Sequence, residues 1–358
     1  MSINKMPPIQ RTLVVIPTYR CNAKCKDCGT ASSPYDRSLS TTNTIRSAIS
    51  QAKKLGFANI VFTGGEATLE MDLLLDGISF ASKYELSTRL VTNAQWANNQ
   101  ESADSFIKAM KRIGLDEINY STGDEHAVFI NPENVVRACS AAIRQSVRVH
   151  LMIEKTKNSN LTSASLLSSL EAHNLPKDKV NRYFSYNESP WMPNKPQKIG
   201  HYEASEYLNV QNMGYRAGCT SVLQSYVVQP DGQVMACCGF GVRGNSIFIV
   251  GNVNDSQGLE QSILKGEENL FFKSIKEYGP ALVLNEISKI DSAVKWQNKF
   301  SHECQACNRI FRDSEAWDIF QKNGDAIFNS LSKYHGIEEA ASIAFTEHYS
   351  RNEVSAPP

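Results

Sequence analysis

No stretch of this 358-residue chain is apolar for long enough to span a bilayer, since runs such as 13–17 and 247–250 fall far short of about 20 residues. Net charge is missing too: 37 basic residues balance 37 acidic ones, with no long run of either sign. That removes the electrostatic footprint of a nucleic-acid or membrane-surface binder. The opening segment, MSINKMPPIQR, lacks the apolar core of a signal peptide, so a cytoplasmic, reducing compartment is expected. Disulfides are not expected there, and the nine cysteines need another explanation. What is present, 41% hydrophobic and 21% charged residues, excludes wholesale disorder and suffices for a sizeable core.

At roughly 150 residues per domain the length suggests about two domains. The first half alternates β-rich runs with amphipathic stretches, the pattern of βα units feeding a parallel sheet. Strands are expected at 12–17, 58–62, 88–92, 117–121 and 147–153, and a weaker one at 180–185. Ser40, Thr41 and Thr42 offer caps for a helix carrying Ile45, Ile49, Ala52 and Leu55 on one face, closed by Gly56. Further helices read at 69–83, 103–113, 132–145 and 161–173. The expected fold class is α/β, a partial (βα)6 TIM-type barrel over 1–190, with ligands at the carboxyl ends of its strands. Residues 187–216 turn loop-like. A smaller module over 191–312 is expected to follow, with a hairpin at 225–235 turning at Pro230-Asp231-Gly232, then helices from 259 to 278 and, in a C-terminal segment over 313–358, from 314 to 349.

Just past the first strand stands Cys21-Asn-Ala-Lys-Cys25-Lys-Asp-Cys28. Three thiolates in one loop can hold three irons of a [4Fe-4S] cubane and leave the fourth open to a small molecule. A structural zinc loop is the competing reading, but zinc takes four ligands and the first hundred residues offer no fourth Cys or His. Thr63-Gly64-Gly65-Glu66 ends the second strand and Thr92-Asn93-Ala94 the third. Adjacent glycines let a backbone approach a ligand closely, and Glu66 can accept from an ammonium.

In this order the motifs resemble the radical SAM superfamily over residues 12–155. The resemblance implies that Cys21, Cys25 and Cys28 ligate a [4Fe-4S] cluster whose open iron is chelated by S-adenosylmethionine. It places Gly64, Gly65 and Glu66 at the methionine amino group and Thr92 and Asn93 near the ribose. It also implies a flavodoxin- or ferredoxin-type electron donor and a 5′-deoxyadenosyl radical that removes a substrate hydrogen. Asp27 stands where many members carry an aromatic residue beside the adenine. After the fourth strand, Ser121, Asp124 and His126 are candidates to face S-adenosylmethionine or a polar substrate, against the plain reading of a solvated loop. His150, in a β-run, reads as structural.

Cys219, Cys237, Cys304 and Cys307 can close a complete four-thiol site, for which a second cluster and zinc are both open. The pattern resembles the auxiliary-cluster modules called SPASM and Twitch. With no cysteine after Cys307, the shorter Twitch type, carrying one auxiliary [4Fe-4S] cluster, is the better match. Cys139, in an Ala-rich helical stretch, reads as core packing. Cys238 is a spare thiol beside a presumed ligand, and adjacent side chains commonly point apart. A thiol there can return a hydrogen to a substrate radical from the opposite face, which resembles the radical SAM epimerases of peptides and sugars. The alternatives are a buried inert thiol, a ligand in place of Cys237, or a peptide maturase that oxidises or cross-links side chains without a thiol donor. Trp191 and Tyr202 are expected near a substrate that is either a peptide or a small molecule such as a sugar.

Overall fold

The computed structural model describes residues 11–193, 202–216 and 218–352, with side chains up to 333 apart from that of residue 216. Six strands, β1 (Thr12–Val15), β2 (Asn59–Phe62), β3 (Ser87–Thr92), β4 (Glu117–Gly123), β5 (Arg148–Lys155) and β6 (Phe184–Pro190), pair in parallel in sequence order. Between them lie α1 (Thr42–Lys54), α2 (Met71–Lys83), α3 (Gln100–Arg112), the short α4 (Asp124–Ala127), α5 (Pro132–Arg144), α6 (Ser163–Glu171) and α7 (Lys177–Tyr183). β6 and the ninth strand end the sheet without meeting, so the barrel is open, as expected.

The helices form where caps and apolar spacing agree. Thr41 caps α1 by accepting from Thr44 N, and Ile45, Ala48, Ile49 and Ala52 turn one face into the core. Cutting a buried Ile such as Ile49 to alanine costs about 2–5 kcal/mol. Asn99 and Ser102 close a capping box on α3, and Asn131 with Pro132 starts α5. Cys139 is buried in α5, as its Ala-rich surroundings suggest.

The sixth strand corrects the sequence reading. Residues 180–183 are helical, because the chain enters α7 straight after Pro176, and the strand starts only at Phe184. The hairpin of β7 (Ser225–Val228) and β8 (Gln233–Met235) is present, with its turn closed by Gly232 N donating to the Gln229 carbonyl at 2.9 Å. It does not form a sheet of its own. β7 pairs in parallel with β1, and β8 and β9 (Ile249–Asn252) extend the barrel sheet to nine strands. The helical run expected at 259–278 breaks at Asn269, whose side chain caps a new helix, into α8 (Gly258–Glu268) and α9 (Leu270–Tyr278). Then come α10 (Pro280–Ile290), not anticipated, α11 (Glu303–Arg312), which carries Cys304 and Cys307, and α12 (Ser314–Asn352).

Candidate active site

The carboxyl ends of β2 to β5 and the loop after β1 surround one cavity, where a parallel barrel gathers its ligands. Cys21, Cys25 and Cys28 all line it. Burial pushes the Cys21 thiol up to about 11 and the Cys25 thiol up to about 12, the latter helped by the other two thiols nearby. Such thiols stay protonated unless a cation compensates them, which a metal cluster does. Around the sulfurs stand hydrogen-bond donors: Ala23 N is 3.4 Å from Cys21 Sγ, Asn93 Nδ2 is 3.8 Å from it, and Thr30 Oγ1 is 3.4 Å from Cys28 Sγ.

The Gly64-Gly65-Glu66 segment grips that loop. Gly65 N donates to the Thr18 carbonyl at 3.0 Å and Glu66 N to the Arg20 carbonyl at 2.8 Å. Gly64 has φ +135°, and a Cβ on Gly65 would collide with the Tyr19 and Arg20 carbonyls. The close approach for which the glycines are needed is therefore backbone on backbone, one turn from the thiols. Glu66 is buried at 1% exposure. Its Oε1 accepts from Thr68 N at 3.2 Å, Thr68 Oγ1 at 2.6 Å and Thr92 Oγ1 at 2.8 Å, and its Oε2 from Asn93 N at 2.9 Å. Desolvation raises its pKa while these donors oppose the rise. Glu66 thus ties the glycine segment to the end of β3, and Asn93 continues the tie to Asn22 of the cysteine loop at 2.7 Å.

Ser121 and His126 face the same cavity from the end of β4 and from α4. Asp124 does not line it. Its carboxylate accepts from Asn160 N and Leu161 N, both at 2.8 Å, and borders an adjoining pocket. Glu154, at the end of β5, was missed by the sequence reading. Its Oε2 lies 3.2 Å from His126 Nδ1, forming a half-buried carboxylate–imidazole pair in the cavity wall. Alternation held the signal: Val149, Leu151 and Ile153 are buried, so the opposite parity, which includes Glu154, faces the barrel interior. His150, of that parity, bonds Ser185 and Asn187 of β6 at 2.9 and 2.6 Å, a structural role as anticipated. Trp191 lines the cavity, and its carbonyl accepts from the Tyr202 hydroxyl.

A second pocket holds Cys219, Cys237, Cys304 and Cys307 among apolar walls that include Phe248, Phe271 and Phe272. A Cβ on Gly239 would sit 3.1 Å from Cys237 Sγ and 3.7 Å from Cys304 Sγ, so those sulfurs flank one backbone position. Burial raises the pKa of Cys237, Cys304 (to about 12) and Cys307. Cys238 lines the first cavity, to which it is exposed, yet stays within electrostatic reach of Cys219 and Cys304 of the second. It nonetheless lies deep in the protein, where desolvation raises its pKa against hydrogen bonding to Ser225 and Ser221.

Residues 15–153 match the sequence profile of the Radical SAM superfamily. Over 322 residues the chain is 21% identical to the "Putative peptide biosynthesis protein YydG" of Bacillus subtilis (strain 168), covering 88% of this chain and 96% of that one. Its fold is similar to that of native anSMEcpe with bound AdoMet and the Cp18Cys peptide, at TM-score 0.53 and 15% identity over 90% of this chain and 99% of that one. The structure of the same protein with AdoMet alone gives the same figures. The three thiols, the glycine segment and the ends of β2 to β4 that border this cavity all lie within the residues that match the Radical SAM profile.

Proposed function

We propose that this protein is a radical SAM enzyme that modifies a peptide, most specifically by inverting a residue's stereocentre with Cys238 as hydrogen donor. The donor set fits the implied cofactor: three thiols in one loop, with burial disfavouring the Cys21 and Cys25 thiolates unless a cation compensates them, beside a cavity that Glu66, Asn93 and His126 also line, suit a [4Fe-4S] cluster with one position left for S-adenosylmethionine. We assign the four thiols that line the second pocket to an auxiliary cluster, with a structural zinc as the alternative. When bound, S-adenosylmethionine and the cluster supply a carbon radical that removes one hydrogen atom from the substrate. A flavodoxin- or ferredoxin-type protein delivers the electron.

The single observation behind inversion is that Cys237 and Cys238 part, one into each pocket. Cys238 is then free to give its S–H hydrogen to the substrate radical. The sulfur radical left behind returns to the thiol with one electron from the external reductant and one proton from water. Its raised pKa favours the S–H form that this step requires. The name of the Bacillus relative, "Putative peptide biosynthesis protein", and the peptide bound to the structural neighbour support a peptide over a sugar.

One observation favours the alternative maturase reading. Oxidation or cross-linking removes a proton from the substrate, and the His126–Glu154 pair in the cavity wall is a base in the right place. The experiment is to incubate iron-loaded, reduced protein in heavy water with S-adenosylmethionine and a library of short synthetic peptides. Inversion predicts one deuterium on the inverted carbon, and 5′-deoxyadenosine but no inverted product from Cys238→Ala. Product two mass units lighter, or full product from Cys238→Ala, hands the assignment to the maturase.

A further inference from the structure

The segment that follows Cys238 is fastened to the cysteine loop of the barrel. Gly241 N donates to the Gly29 carbonyl at 2.9 Å, directly after Cys28. The Phe240 ring fills the space beside Gly29, 2.9 Å from where a Cβ would stand. Arg243 does most: its Nη1 reaches the Thr30 carbonyl at 3.2 Å and the Ala31 carbonyl at 2.9 Å, and its Nη2 the Asp36 carboxylate at 2.6 Å. Its guanidinium also lies 3.6 Å from the centre of the Tyr19 ring. The turn it grips returns on Cys28, with Ala31 N donating to the Cys28 carbonyl at 3.0 Å and Ala31 at φ +50°, a conformation an alanine seldom adopts unaided. From the other side Arg312, at the end of the helix that carries Cys304 and Cys307, donates to the Gly241 carbonyl at 2.6 Å.

A planar fork that serves two carbonyls and a carboxylate while stacking on an aromatic ring is a role that lysine cannot fill, because one ammonium cannot meet all four partners. We propose that Arg243, more than 200 residues from the cysteine loop in sequence, is a positioning residue for S-adenosylmethionine: it holds the Cys28 turn in the conformation in which the loop's cluster accepts that ligand. It touches no reacting atom. The inference rests on the reading of Cys21, Cys25 and Cys28 as cluster ligands.

The test uses the full, reconstituted chain and S-adenosylmethionine itself. Iron content, melting temperature, S-adenosylmethionine affinity and the electron paramagnetic resonance spectrum of the reduced protein, with and without S-adenosylmethionine, are compared for wild type, Arg243→Lys and Arg243→Ala. Arg243→Ala should bind S-adenosylmethionine roughly tenfold or more weakly and lose much of the ligand-induced spectral change, with Arg243→Lys between it and wild type. Wild-type affinity and an unchanged spectral response in iron-replete Arg243→Ala would overturn the proposal. Should Arg243→Ala not fold, Arg243→Lys decides: weakened binding supports positioning, and wild-type binding overturns it. A wild type whose spectrum ignores S-adenosylmethionine would instead sink the reading of the cysteine loop, a separate failure.

Discussion

The two thiol pockets use the same side chain to opposite ends. In the first, three half-exposed cysteines on one loop border a cavity that Glu66, Asn93, Ser121 and His126 also line, and the loop is held by backbone hydrogen bonds to the glycine segment. In the second, four cysteines drawn from the 219 turn, the end of β8 and α11, three of them likewise half-exposed, stand beside Phe248, Phe271 and Phe272. On the proposed reading, three thiols leave one corner of a cluster open to a small molecule and four thiols complete the other cluster, so it is the number of thiols that separates the two sites.

The sharpest way to break this contrast is to remove the first set. Changing Cys21, Cys25 and Cys28 together to alanine should abolish 5′-deoxyadenosine formation and leave about half of roughly eight irons per chain, measured by metal analysis. About four irons and one zinc in the wild type would replace the auxiliary cluster by a structural site. Next in size is Gly65→Ala. Its Cβ would drive the glycine segment off the Tyr19 and Arg20 carbonyls, so the variant should lose iron from the first site while retaining the second.

A smaller effect is expected from Glu66→Ala, which frees Thr92 and Asn93 N inside a buried network. S-adenosylmethionine affinity should fall about tenfold by calorimetry, because the tie from the glycine segment through Asn93 to the cysteine loop is loosened. The melting temperature should fall as well, since buried donors are left unpaired. Lost affinity at an unchanged melting temperature would instead make Glu66 a direct ligand. The smallest effect is none at all: burial disfavours the Cys238 thiolate, so the S–H form persists above the ordinary thiol range near pH 8.5. Deuterium delivery by Cys238 should therefore stay level as pH rises through that range. A drop centred there would mark Cys238 as an ordinary solvent-exposed thiol.

Much of the barrel was legible because its signals are local. The cap at Thr41, the apolar face of α1 and the alternation of β5 each lie within a dozen residues. The sixth strand was displaced because residues 180–183 suit strand and helix alike, and it was the start after Pro176 that settled them as helix. The cysteine loop and glycine segment were legible as motifs. What Glu66 binds was not, since Thr92 and Asn93 reach it across a strand pairing rather than along the chain. The His126–Glu154 pair escaped for the same reason, α4 and the end of β5 meeting at a cavity. Asp124, by contrast, was named for its neighbours in sequence and belongs to the backbone of the next loop.

Covalent spacing by itself determined that three thiols share one loop, that a glycine pair and a carboxylate follow one βα unit later, and that a hairpin turns at Gly232, since each depends on residues near in sequence. Only the tertiary structure decided which pocket each of two adjacent cysteines enters, that β7 joins the barrel sheet at β1, and that Arg243 closes on a turn more than 200 residues away. These depend on packing between elements distant in sequence, whose relative placement follows from the burial of the whole core rather than from any local preference.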